Sequence, residues 1–177
     1  MTAAVRLSAL ALCLSFAAPV MAAPLSEAEI GTVLERAMTP MGDRCHESWD
    51  VGAKDSPDQV IVKCQAAIAE IKALRAKEGK LSIGVRTLYA GTEAMLEQGI
   101  ALAYTRKGTT FKAATCQHEE RIWSLLDQND LTSVSPEIAK TMTEYKDLTS
   151  QVVKQCRTQF GTPTGAPKLP PAPAATN

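Results

Sequence analysis

Four of the five cysteines (the fifth, Cys13, lies in the signal-like first 22 residues), two histidines and a few closely spaced carboxylates are the side chains of this 177-residue sequence that invite a chemical reading. Cys45, Cys64, Cys116 and Cys156 contain no Cys-x-x-Cys pair, which argues against a four-thiolate metal site and against covalent haem attachment. An even set of widely spaced cysteines instead predicts two disulfides, for which three connectivities exist. His46-Glu47 and His118-Glu119 each begin as a zinc-protease helix motif does. The fourth residue after each histidine is Asp50 or Ile122, so the second ligand is missing.

Helix bundles can host cofactors between facing side chains. His118 together with Met38, Met41, Met95 or Met142 therefore forms an alternative expectation, a non-covalent haem or metal carrier. Methionine at helical spacing equally serves as core filler. Glu93 and Glu97 lie one helical turn apart and could converge on a cation, although such a pair more simply forms a solvated helix face. Glu119 and Glu120 are adjacent and should diverge. Lys72, Arg75, Lys77, Lys80 and Arg86 form a basic cluster around one predicted turn, suited to lipid head groups or an anionic polymer. The same lysines and arginines would also complement a helix C-terminus. With no phosphate loop, nucleophile elbow or Ser/His/Asp set in the sequence, the expectation is a non-catalytic protein without cofactor or metal.

These residues must be positioned by helices, because every long apolar pattern has helical period and no strand-like alternation occurs. Ser26 and Glu29 form a capping box, with Leu25 placed to staple onto Ile30. The helix that follows carries Ile30, Val33, Leu34, Ala37, Met38 and Met41 on one stripe, and Pro40 should kink or divide it. Ser56-Pro57-Asp58-Gln59 caps a second helix bearing Val60, Ile61, Cys64, Ala67, Ile68, Ile71 and Leu74. A third, from about Ser82 to Lys107, shows a four-three seam through Leu81, Val85, Leu88, Thr92, Met95, Gly99 and Leu102. Gly84 and Gly91 share a neighbouring face and could admit a close helix.

Gly108 predicts a reversal, because one rod from 82 to 128 would be about 70 Å long. Phe111, Ala114, Thr115, His118, Ile122, Leu125 and Leu126 mark the fourth helix. Ser135-Pro136 opens the last, with a stripe through Ile138, Met142, Tyr145, Leu148, Val152, Cys156 and Phe160. The fold class expected is all-α: an antiparallel bundle of four to five helices over residues 23–160, disulfide-linked. Residues 161–177 form a proline-rich tail that lacks the apolar bulk to fold alone.

Cysteine pairing follows from the hairpins. Cys45 and Cys64 are equidistant from the loop near Lys54 and should meet at one height. Cys116 and Cys156 are then left as partners, but a simple hairpin about Leu131 leaves them about 10 Å out of step, so the last helix must stagger or tilt. Crossed pairings stay open at this point.

Arg6, the apolar run Leu7 to Ala18, and Val20-Met21-Ala22 have the order of a cleavable export signal over residues 1–22. Export to the periplasm or outside the cell would favour disulfides over free thiols. Nineteen basic groups balance 19 acidic ones, which gives no overall attraction to nucleic acid or to a membrane surface. The functional expectation is an exported binding module that presents a helix groove or the basic turn to a protein, an envelope component or a small ligand.

Overall fold

The computed structural model describes residues 25–45, 54–77 and 81–170. The sequence-based readings of the export signal, His46, Glu47 and Lys80 lie outside these residues. Within them the chain is all-helical: α1 (Glu27–Arg44), α2 (Pro57–Lys77), α3 (Ile83–Lys107), α4 (Lys112–Asp127) and α5 (Pro136–Phe160). Short 3-10 turns at Thr109–Phe111 and Leu131–Ser133 precede α4 and α5.

Local chemistry starts each helix where expected. Ser26 accepts from the Glu29 backbone N–H while the Glu29 carboxylate accepts from the Ser26 N–H at 2.9 Å, two orphan donors satisfied at once. Gln59 does the same for Ser56, accepting from its N–H at 2.8 Å. Ser82 and Ser135 cap α3 and α5. Gly108, at φ 105°, ends α3 with a backbone conformation that side-chain-bearing residues rarely adopt.

Pro40 neither divides nor ends α1, which runs on to Arg44 with the proline buried in its last turns. The missing N–H removes one helical bond, and burial of the ring against the core offsets that loss.

α3 is the axis of the molecule. α1 and α2 pack on one side of it and α4 on the other, and α5 packs chiefly on α4. Val33, Ala37, Val60, Cys64, Ile71, Leu88, Tyr89, Leu96 and Ile100 belong to the larger core, between α1, α2 and α3. Ala94, Ile122 and Leu126 form a smaller one between α3, α4 and α5. A helix shared by two cores is buried nearly all round, so the single seam read from the sequence covers only part of what α3 buries. Tyr89, Ala94, Leu96, Ile100 and Ala103 extend it to the other faces.

Both disulfides join the hairpin partners, Cys45 with Cys64 and Cys116 with Cys156. The stagger demanded by the second is real. Asp127 pairs with Lys146, Glu120 with Arg157 and Cys116 with Cys156, which sets α4 and α5 in register about a point near residue 137 rather than near Leu131. The connection makes this possible by running past the N-terminal end of α3, where Thr87 donates to the Asp130 carbonyl at 3.4 Å. α5 therefore begins well beyond the end of α4.

The stripe of α5 holds at Ile138, Met142, Tyr145 and Cys156 and departs from the expected one between and beyond them. Thr149, Val153 and Cys156 are buried, whereas Leu148, Val152 and Phe160 are 63%, 39% and 49% exposed. From Tyr145 onward both series have legitimate helical spacing and both end at Cys156, and packing against α4 decides which is buried. Beyond α5 the proline-rich segment forms no helix or strand up to residue 170, and Arg157 Nη2 donates to the Pro167 carbonyl at 2.9 Å.

Candidate functional site

Because α5 is committed to α4 and α1 to α2 and α3, the face of α3 between α1 and α5 is left partly uncovered. Leu88, Gly91, Thr92 and Met95 form its floor. Leu34 and Met38 of α1 make one wall, and Ile138, Met142 and Tyr145 of α5 the other, with Leu126 of α4 closing the side. The resulting groove encloses about 520 Å³, inside the range of small-molecule sites.

Its lining is almost wholly apolar. Thr92 turns its hydroxyl back to the Leu88 carbonyl at 3.1 Å, and the Tyr145 hydroxyl is directed at the Ala94 carbonyl at 3.3 Å, with Gln98 Oε1 at 3.4 Å. Burial, and secondarily the Glu119 carboxylate, push the Tyr145 phenol well above its ordinary value. It is a neutral wall of the groove, not an acid or base. Glu137 and Thr141 stand at the exposed rim. Gly91 has a specific part: a Cβ there would lie 3.1 Å from Met142 Cε, so the absent side chain lets this methionine reach across the floor.

Met38, Met95 and Met142, three of the four methionines singled out in the sequence, thus meet in one groove. His118 does not join them. It lies buried on α4, its Nδ1 at 2.5 Å from Glu97 Oε2 and its ring stacked on Tyr104 at 5.5 Å. The groove therefore does not bring His118 together with Met38, Met95 or Met142. Among the described residues no group of three or more His, Cys, Asp or Glu side chains could hold a metal ion.

The carboxylates neither converge on a cation nor form a solvated face. Glu93 and Glu97 are 4% and 5% exposed and point to different helices. Glu93 takes Lys72 at 3.1 Å and Arg75 at 3.0 Å from α2, and Glu97 faces His118, with Arg121 at 3.8 Å. Glu119 and Glu120 diverge as their adjacency requires. Glu119 turns inward, accepting from Gln98 Nε2 at 3.3 Å, and desolvation raises its carboxyl above the usual range. Glu120 grips the Arg157 guanidinium through two bonds of 2.7 and 2.8 Å, which raise Arg157 further above its already high value.

The basic cluster is divided by the fold. Lys72 and Arg75 are engaged with Glu93 on α3, Lys77 is exposed at the end of α2, and of these only Arg75 and Arg86 share a small cleft. The groove itself was missed as a site by sequence reasoning. Its residues carry ordinary apolar patterning, and the open edge between α1 and α5 arises only from the stagger of the last helix.

Comparison of the chain with protein-family models, curated proteins and solved structures finds no match. Among the described residues no helix is long and apolar enough to cross a membrane.

Proposed function

We propose that this chain is an exported, non-catalytic binding protein that takes up a small, predominantly apolar molecule in the groove between α1 and α5. The observation that carries the reading is the lining itself: three methionines and four aliphatic side chains around a volume of about 520 Å³, with its one charged side chain, Glu137, at the rim. Methionine side chains are flexible and polarizable, so such a wall adapts to varied apolar shapes.

The occupant is a small molecule rather than a partner helix. At helical rise the lining spans about 11 Å of α3 and about 12 Å of α5, too short for the successive anchors of a docked helix. The sequestered state of Glu93, Glu97, Glu119 and Glu120, each held by a neighbouring helix, supports a binding role over catalysis. The two disulfides and the signal-like first 22 residues support export.

The test is fluorescence titration with the uncharged probe N-phenyl-1-naphthylamine, on disulfide-intact protein and on Thr141→Trp. Thr141 is an exposed rim residue, so the indole blocks the entrance without entering the core. Saturable binding weakened about tenfold or more, a loss of about 1.4 kcal/mol, is expected in the variant. Non-saturable binding, or binding that Thr141→Trp leaves unchanged while circular dichroism stays native, would refute the reading.

A further inference from the structure

A second concavity lies on the opposite side of α3, where the end of α2, the first turns of α3 and the chain leaving α4 come together. Arg75, Arg86, Thr87, Gln128 and Asn129 supply its polar wall. Its volume is about 290 Å³, and unlike the groove it is predominantly polar. From this arrangement we infer that the cleft binds a phosphate group, either free or at the end of a small molecule.

Charge comes first. Glu93 is shared by two cations, Lys72 and Arg75, so these three groups together carry one net positive charge. Arg86 has no carboxylate partner among the described residues and adds a second. Asp130 also lines the cleft and works against an anion. Its Oδ1 is occupied by the Thr132 backbone N–H at 3.0 Å and the Thr132 hydroxyl at 2.6 Å, and these bonds hold its carboxyl below the ordinary value.

Donor geometry comes second. Arg75 spends Nη1 on Glu93 at 3.0 Å, which leaves most of its five N–H donors free for another acceptor. Gln128 and Asn129 line the same cleft and add side-chain amides to its wall. Guanidinium and amide donors reach the space from α2, α3 and the α4–α5 connection. Approach from three sides suits a tetrahedral phosphate, whereas a planar carboxylate is satisfied by a single guanidinium fork.

The site is independent of the apolar groove and is tested separately, by calorimetric titration of the full mature chain at constant ionic strength with inorganic phosphate, phenyl phosphate and acetate. Saturable binding of either phosphate, tighter than acetate and weakened about tenfold or more by Arg86→Ala and by Asn129→Asp, is the expected result. Phenyl phosphate binding more tightly than inorganic phosphate would identify a phosphomonoester, and the reverse order would identify the free ion. Arg86 is exposed and makes no described contact with a carboxylate, so its replacement should leave the fold intact, as circular dichroism would register. Unchanged phosphate affinity in folded Arg86→Ala overturns the inference. So does equal affinity for acetate, or binding to phosphatidylglycerol vesicles without binding of either soluble phosphate. Thr141→Trp should leave phosphate binding unaltered, and Arg86→Ala should leave naphthylamine binding unaltered, so failure at one site is distinguishable from failure at the other.

Discussion

Glu119 is buried on α4 with one amide donor, Gln98 Nε2, and the Tyr145 phenol nearby. Desolvation penalises its charged form more than Gln98 and His118 relieve it, so the folded state holds its proton more tightly than the unfolded chain does. The stability relation has a definite sign. As pH rises from the ordinary 4.5 through the raised value, the unfolded state loses this proton first, and unfolding free energy falls by an amount retained at neutral pH. Glu119→Gln keeps a polar amide opposite Gln98 and removes the charge. Its melting temperature at pH 7 should exceed that of the parent, and its melting curve against pH should be flatter above 4.5, as calorimetry would record. A lower melting temperature at pH 7 would show that the carboxylate is better satisfied than its surroundings indicate. The sequence could not announce this, because Glu119 and Glu120 differ only by the 100° that one helical step turns, which carries one into the interior and the other to Arg157.

At the scale of elements, two glycines on α3 look equivalent in sequence and are not. A Cβ on Gly84 would lie 2.7 Å from the Ser133 carbonyl oxygen and 2.8 Å from Leu25, so the close neighbour is the turn before α5 together with the start of the first helix. A Cβ on Gly91 meets only the flexible end of Met142. Replacing a helix-interior glycine by alanine ordinarily stabilises by about 1 kcal/mol. Gly91→Ala should keep most of that gain, since Met142 can swing aside, while narrowing the groove. Gly84→Ala should instead destabilise by about 1–3 kcal/mol, because backbone must shift. Urea denaturation of the pair would show opposite signs, and equal effects would mean that the α4–α5 connection does not press on α3. The close approach inferred from the glycine spacing is thus present at Gly84, but a turn makes it rather than a helix.

For the whole molecule the disulfides set the scale of stability. Bridging residues 19 apart should contribute about 3 kcal/mol, and bridging residues 40 apart about 4 kcal/mol. Their loops do not overlap, and their combined effect is comparable to the about 5–15 kcal/mol that holds a typical domain together. Reduction should therefore abolish cooperative thermal unfolding above physiological temperature. Replacing Cys45 and Cys64 by serine should cost less than the same change at Cys116 and Cys156. The second bridge also fixes the rotation and stagger of α5, on which the open groove depends, so its loss should impair naphthylamine binding before the helices themselves melt. Retained probe affinity in folded Cys116→Ser/Cys156→Ser protein would separate the groove from the bridge.

Helix starts, the reversal at Gly108, the Cys45–Cys64 pairing and most of the first two apolar stripes were legible in the sequence because each depends on neighbours within a few turns: a cap and its third residue, a glycine and its φ, two cysteines about one hairpin. Pro40 does not divide α1: local propensity counts the lost backbone bond and not the core that buries the ring. The α5 stripe misled because Leu148 and Val152 offer the same periodicity as Thr149 and Val153, and only contact with α4 distinguishes them. The carboxylates Glu93 and Glu97 were read as a pair because they share a helix, yet each is defined by a partner on another, about 20 residues away. The sequence by itself determined the helices, their polarity and which four cysteines are available to bridge. The tertiary structure alone decided which polar side chains are buried and where the bundle stays open, because both depend on the relative rotation and stagger of α4 and α5, which no short-range spacing encodes.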